Sequence, residues 1–339
     1  MAARQPGSPA VPPTPPLLGP GPALSRPGRA VAEAPPATAH PGCEHCPDDA
    51  LDDAELISAR AALAQGRWQP ARSLLLHTGE DWDRRGHRVT VLAREPYAIA
   101  WAREWLLAEP GSAGAATLYA VTLVRRALRG KEEPERAREA CARAAVLAPA
   151  DPTPWLGLLL LARHLGTDEE TRRVFTEVRR RHPEHHHAHH LMAARIAETE
   201  TLGTYELCAF AERAAAEAPA DSPLAVLPVV AYTERHRVLA ATGRAPADPA
   251  AAGHWSEPSA LRALGAAFDW WLEWGIEEHP RRHIDLNHLA HATFGAGRYA
   301  EAAALFQRIG RHATPAPWSY PDRDPCEAFR AARERTLGG

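Results

Sequence analysis

Residues 286–309 read LNHLAHATFGAGRYAEAAALFQRI and carry apolar side chains on both sides of Gly297. On each side these side chains recur at intervals of three or four residues, the spacing that lines up one face of an α-helix. A glycine between two such segments indicates a turn. The stretch therefore predicts two consecutive α-helices joined by a short connection. The apolar residues concerned are Leu286, Leu289, Ala290, Ala302, Phe306 and Ile309.

The same alternation of helix and break continues upstream, where proline marks the breaks. Pro110, Pro149, Pro183 and Pro219 lie 39, 34 and 36 residues apart. Proline ends a helix because it has no backbone N–H to donate and its ring clashes with the preceding turn. An apolar helical pattern precedes each proline and another follows it. The predicted helices are Trp101–Ala108, Ala137–Ala148, Val174–Arg181 and Phe210–Ala218 before the prolines, and Ala113–Leu128, Thr153–His164, Glu184–Glu198 and Ser222–Leu239 after them.

Together these segments resemble the tetratricopeptide repeat (TPR), a helical hairpin that stacks on neighbouring hairpins to bury a continuous core. Partial matches begin at Gly66-Arg67-Trp68 and at Trp155, so the resemblance covers most of residues 51–315. The chain is also similar to actinobacterial TPR-like proteins of unknown function, a likeness that implies no activity. The resemblance implies an all-α fold, a TPR-like α-solenoid of stacked antiparallel helical hairpins. The best-matching positions are Leu286, Leu289, Ala290, Tyr299, Ala302, Phe306 and Ile309, with Pro315 beyond them.

The first fifty residues differ in composition from the rest. They hold 13 of the 32 prolines and no aromatic residue. Such a segment cannot bury enough apolar surface to offset the entropy lost on ordering, which predicts a disordered tail. The predicted organisation is a Pro/Ala/Gly-rich tail at 1–50, TPR-like repeats at 51–241, a loop at 242–259, a terminal helix and repeat at 260–315, and a C-terminal tail at 316–339 with a capping helix at Asp324–Arg335.

Charge and hydropathy exclude several function classes. Lys+Arg and Asp+Glu number 39 and 42, so the formal net charge is −3. A nucleic-acid binder or a polybasic membrane-surface protein needs a basic surplus. No apolar run approaches the roughly 20 residues of a membrane span, and no apolar segment follows Arg4 as in a signal peptide. We therefore expect a cytoplasmic protein with no nucleic-acid or membrane partner.

The most unusual stretch is the histidine run between His182 and His190. Imidazoles four residues apart share one helix face and can chelate a transition metal. The two such pairs are His185 with His189 and His186 with His190. The alternative is a histidine-rich first turn of a repeat helix that holds no metal, and this is the interpretation we adopt. TPR-like geometry places His189 near the packing face, and His187 and His190 towards the concave groove.

A second histidine group comprises His279, His283, His288 and His291. His279 and His283 are four residues apart, but Pro280 lies between them and makes a shared helix face doubtful. His288 and His291 are three apart and can share a face. We expect this group to be polar decoration on a repeat helix. Short basic runs such as Arg125-Arg126 are likewise expected on solvated helix faces.

An aromatic cluster, Phe268-Asp-Trp270-Trp271-Leu-Glu-Trp274, precedes the second histidine group. At helical spacing Trp270 and Trp274 share a face. Three tryptophans on one helix are typical of core packing, and they can also form a stacking platform for a sugar, a base or a proline-rich peptide. Both interpretations stay open at this point.

No catalytic motif appears in the chain. A Walker A loop, a Gly-x-Ser-x-Gly elbow and a His-Glu-x-x-His pair are all absent. The Cys43 and Cys46 pair forms a CxxC without the strand-to-helix context of a redox motif or a second ligand pair for zinc. Its role is open.

The predicted function is a non-enzymatic scaffold that binds a peptide or partner protein in the concave groove, with no cofactor. The candidate contact residues are His187, His190, Trp270 and Trp274. The first alternative is a metal-binding protein or metal-assisted enzyme that uses His185, His186, His189 and His190. The second is binding of a carbohydrate or small ligand at the tryptophan cluster.

Overall fold

The computed structural model describes residues 48–199, 205–275, 278–320 and 323–338. Within these ranges the chain forms sixteen α-helices and two short 3-10 helices, and it contains no strand. The predicted all-α fold is therefore confirmed. The Cys43–Cys46 pair and most of the predicted tail lie outside the described residues.

Half of the helices precede the histidine run. They are α1 (Ala54–Ala64), α2 (Gln69–Thr78), α3 (Trp82–Leu92), α4 (Ala98–Ala108), α5 (Ala113–Leu128), α6 (Pro134–Leu147), α7 (Thr153–Leu165) and α8 (Asp168–Arg181). The others are α9 (His186–Thr199), α10 (Tyr205–Glu217), α11 (Leu227–Ala241), α12 (Pro258–Trp274), α13 (Arg282–Gly295), α14 (Tyr299–Ile309), α15 (Pro315–Trp318) and α16 (Pro325–Leu337). The 3-10 helices are Pro223–Val226 and His254–Ser256.

Local sequence sets the helix ends as the proline pattern predicts. Pro149 and Pro183 directly follow the C-cap residues of α6 and α8. At the other end of α8, the side chain of Thr167 accepts a hydrogen bond from the Glu170 N–H. Acidic residues fill the first turn of α8 and arginines its last turn, which complements the helix dipole.

Consecutive helices pack as pairs, and alternate helices also touch. Helices α3, α5, α7, α9, α11 and α13 each pack against the next in this series. We call these six helices the central row. Helix α3 also packs against both α7 and α9, so the row curves back on itself. We call the side of the row on which Asp83 of α3 and Asp285 of α13 contact His186 its concave side.

Contacts between distant parts of the chain close this concave side. Asp52, before α1, forms an ion pair with Arg282 at the start of α13. Asp83 on α3 contacts the first turn of α9. The concave surface that was predicted from the sequence to be an open groove is therefore largely enclosed by the chain's own helices.

The concave side is polar as well as buried. Several ionisable side chains of the central row are less than a tenth exposed, and buried charges need partners or a shifted pKa. They are His87, Arg88, Arg125, His186, His187, His190, Glu234, His236, His283, Asp285, His288 and His291. Arg125 thus lies inside rather than on the solvated face that the sequence suggested.

The segment after residue 315 packs onto α13 and α14. Trp318 and Phe329 are buried, and each ring lies within 5.8 Å of the Phe306 ring. Helix α16 begins with Asp324, whose side chain accepts a hydrogen bond from the Glu327 N–H. At the other end of the described chain, Ala50 is also buried.

No helix among the described residues is both long enough and apolar enough to cross a bilayer.

Candidate metal centre

The second half of the histidine run, residues 186–190, forms the first turn and a half of α9, and its histidines are enclosed together with His185 just before the helix. His185, His186, His187, His189 and His190 are each 9% exposed or less. They are buried because α9 lies in the central row, with α3, α7, α8, α10 and α11 all packed against it. A buried imidazole needs a hydrogen-bond partner or a ligand. The contacts of each ring nitrogen therefore indicate the role of its histidine.

One histidine from each of the two histidine groups meets Asp285, in the first turn of α13. The His186 Nε2 atom lies 2.9 Å from both Asp285 carboxylate oxygens. The His279 Nε2 atom lies 2.8 Å from Asp285 Oδ2. The three potential ligand atoms all lie within 4.8 Å of one another. We call this group the His–Asp centre.

Neighbouring charge and hydrogen bonds keep the carboxylate of Asp285, at the middle of the His–Asp centre, ionised. Burial alone would raise the pKa of Asp285, but the charges of His186 and His279 and their hydrogen bonds hold that pKa below its usual value. Burial lowers the pKa of His186, against the attraction of the Asp285 carboxylate. An ionised carboxylate only accepts hydrogen bonds, so both imidazoles present a proton on Nε2 to Asp285.

A second contact, besides the one with Asp285, determines the tautomer of His279. The Arg281 backbone N–H donates to His279 Nδ1 at 3.2 Å, so Nδ1 is the acceptor and Nε2 carries the proton. A neutral imidazole that binds a metal through Nε2 carries its proton on Nδ1 instead. Metal binding at this histidine must therefore replace the Arg281 contact with an acceptor.

His190 is a third imidazole, and it lies beside the centre. Its Nε2 atom lies 3.5 Å from Asp285 Oδ1 and makes no hydrogen bond within the described part of the chain. Its ring packs against the His186 ring, with a centroid distance of 4.1 Å. Burial is the main reason that the pKa of His190 falls well below its usual value, which favours the neutral imidazole.

Asp83 of α3 fixes the start of α9 from the other side. Its Oδ1 atom accepts a hydrogen bond from the His186 backbone N–H at 2.9 Å, and its Oδ2 atom lies 2.9 Å from His182 Nε2. His185 Nδ1 lies 3.2 Å from Oδ1. Burial opposes ionisation of Asp83, but His185 and His182 hold its pKa well below the usual value. Asp83 thus orients the helix that carries His186.

A small pocket leads to the His–Asp centre. It has a volume of about 20 Å³ and is half-open to solvent. His279 and Asp285 form part of its wall. The remaining lining residues are Trp270, Trp271, Trp274, Gly275, Arg282, Leu286 and Leu289. The tryptophan cluster and the second histidine group, which were separate features of the sequence, therefore border one site.

The structure corrects the sequence-based placement of the first histidine group. His187 and His190 were expected on an open groove, yet both are only 9% exposed. His189 donates from Nδ1 to the His185 carbonyl and packs against Phe175, as its predicted packing position suggests. Of the four metal candidates in the run, His186 joins the His–Asp centre and His190 lies beside it, whereas His185 turns to Asp83.

The second histidine group is not surface decoration. His283, His288 and His291 are each 5% exposed or less, and His279 belongs to the His–Asp centre. Neither Asp285, which the sequence suggested only as a charge at the rim of a groove, nor Asp83 was predicted as part of a metal site, because an aspartate in a helical first turn is common. Only their contacts with a histidine run about a hundred residues away distinguish them.

The chain matches no known protein-family profile and no curated protein.

Proposed function

We propose that the protein binds one transition-metal ion at the His–Asp centre. The observation that carries this proposal is the convergence of His186, His279 and Asp285, whose donor atoms lie within 4.8 Å of one another. Ligands that share one metal at about 2.1 Å lie at most about 4.2 Å apart, so shifts of less than about 1 Å would bring the three donor atoms within range of one ion. Two imidazoles and one carboxylate form a donor set that suits Zn²⁺, Fe²⁺, Co²⁺ and Ni²⁺.

The donor set supports a metal that does chemistry. Structural zinc sites fill all four positions with protein ligands, whereas catalytic sites keep a position open for water or substrate. Three donors and an adjoining half-open pocket fit the second description. We therefore propose metal-assisted activation of a ligand in the pocket, in which the metal acts as a Lewis acid.

Protons on the Nε2 atoms of the two imidazoles occupy the positions that the metal would take. His186 and His279 each present an Nε2 proton to Asp285, and metal binding must displace both. Metal affinity should therefore increase with pH, and binding should release protons into the buffer. His190 offers a further neutral nitrogen close to Asp285.

The test is elemental analysis of untagged protein after equilibration with Zn²⁺ or Co²⁺ and desalting. We expect about one ion per chain for the wild type and less than about a tenth of that for His186→Ala and Asp285→Asn. His77→Ala, which removes an exposed histidine on α2, is the matched control and should retain the ion. Equal metal content in all four proteins would place the ion elsewhere and refute the proposal.

We also propose that the helical array is TPR-like. Adjacent pairs such as α7 with α8 and α13 with α14 support this, as does the burial of Leu289 and Phe306 at the two helix positions that match the repeat.

Binding of a partner protein or peptide remains a prediction from the sequence. Its location must change, because His187 and His190 are enclosed. Trp270 and Trp274 are partly exposed and border the small pocket beside the His–Asp centre. The metal proposal has the stronger support, since the donor atoms are already assembled.

A further inference from the structure

We propose that the pocket beside the His–Asp centre admits only an exogenous ligand of one to three non-hydrogen atoms, which supplies an oxygen or nitrogen donor to the metal. This inference rests on the proposed metal site and names the size and chemistry of the ligand that completes it. It also assigns the tryptophan cluster a role as the wall that sets this limit.

The volume of the pocket sets the size class. A cavity needs roughly 10–15 Å³ to hold one water molecule. At about 20 Å³ the pocket accommodates a water-sized ligand, and its half-open mouth allows a slightly longer one. A space of this size does not enclose a sugar ring or a nucleobase, which argues against the stacking platform considered from the sequence.

The chemistry of the wall indicates a polar donor. His279 and Asp285 lie at the pocket surface, so a ligand there reaches two of the three metal-binding side chains. The Arg282 guanidinium also lines the pocket and favours an anionic ligand, although its ion pair with Asp52 offsets part of its charge. The other walls are indole and leucine surfaces, which offer no competing acceptor.

Two of the indole walls are held in place by their own contacts. Trp270 donates its Nε1 proton to the Ala220 carbonyl at 2.9 Å. Trp271 packs against Phe268 with a centroid distance of 5.3 Å, and its indole lies so close to Gly275 that a β-carbon there would clash. The pocket therefore cannot widen at Trp270 or Trp271 without breaking these contacts. Trp274 is the remaining indole wall.

Formate and benzoate provide a matched pair of probes, because they bind through the same carboxylate group and differ in size. In cobalt-loaded wild type, we expect formate to shift the visible absorption bands of Co²⁺. Benzoate should leave the bands unchanged at concentrations at least about tenfold higher, a difference of about 1.4 kcal/mol. Metal content measured after each titration verifies that the spectra report bound cobalt.

Trp274→Ala tests the wall directly. Removing this indole should allow benzoate to shift the cobalt bands while formate still binds. Leu272→Ala is the control, since Leu272 lies on the same helix but is 65% exposed and does not line the pocket. It should behave as the wild type does.

Three results would overturn this inference. They are benzoate binding to the wild type as tightly as formate, no spectral response to formate, and exclusion of benzoate by Trp274→Ala. Each presupposes that the wild type holds cobalt at the His–Asp centre. Failure to retain cobalt would instead refute the proposed metal site, so the two failures are distinguishable.

Discussion

Single residues carry the contacts between remote parts of the chain. Asp285 and Asp83 each bind histidines of the α9 run from opposite sides, and both lie about a hundred residues from it. Asp285 faces the donor atoms, whereas Asp83 holds the backbone from which His186 projects. This division gives the two carboxylates different predicted effects on metal binding.

Asp83→Asn should weaken metal binding without removing a ligand. Residues that orient metal ligands typically contribute 10–100-fold in affinity, so we expect a loss of that size. Asp81→Asn is the matched control, because Asp81 caps the same helix α3, asparagine also caps well, and Asp81 does not contact α9. Metal affinities measured by competition with a chelating dye would test this prediction. Equal melting temperatures of the two variants would verify that both are folded to the same extent. Equal affinity in both variants would mean that Asp83 does not orient the site.

Buried histidines should make the fold sensitive to acid. Burial lowers the pKa of His87 to about 3 and that of His254 to about 4, against 6.5 for an exposed imidazole. The unfolded chain therefore binds protons that the folded chain does not. The stability that these residues confer is fully present above pH 6.5 and is lost as the pH falls towards their folded pKa.

At pH 5.5, compared with pH 7.5, each of these two histidines should lower the free energy of unfolding by on the order of 1 kcal/mol. Urea unfolding of metal-free protein at pH 7.5 and pH 5.5 measures the difference. His87→Phe and His254→Phe should each reduce the pH dependence. A urea midpoint that does not move between the two pH values would show that these imidazoles are not buried and neutral.

At the scale of helices, apolar spacing and breaker residues predicted most of the architecture. The helix expected at Ala113–Leu128 has the same bounds in the structure, and the predicted cap at Asp324 starts α16. These features depend on neighbouring residues, which is why the sequence contains them. Burial of the α9 and α13 histidines was not predicted, since it depends on how the central row curves.

Leu289→Asp and Phe306→Asp test the terminal hairpin of α13 and α14. Both side chains are at most 1% exposed, and a buried unpaired carboxylate should cost at least about 3 kcal/mol. We expect a clear loss of helical circular dichroism or of melting temperature. Leu272→Asp, at an exposed position on α12, should change neither. Unaltered melting of both core variants would contradict the packing of this hairpin.

At the scale of the whole molecule, the curvature of the central row creates the candidate site. The two histidine groups and the tryptophan cluster were each visible in the sequence, but spacing along one chain cannot show that they converge. His186 and Asp285 are 99 residues apart, and their contact depends on the packing of the helices between them. The same curvature closes the groove that was expected to bind a partner.

The central claim is that the curved array assembles a metal site from His186, His279 and Asp285. Diffraction from crystals of the zinc- or cobalt-loaded protein, recorded at the absorption edge of the metal, tests it most directly. We predict one anomalous peak about 2 Å from a donor atom of each of the three side chains. An anomalous peak elsewhere, or none in crystals grown from metal-equilibrated protein, would contradict the claim.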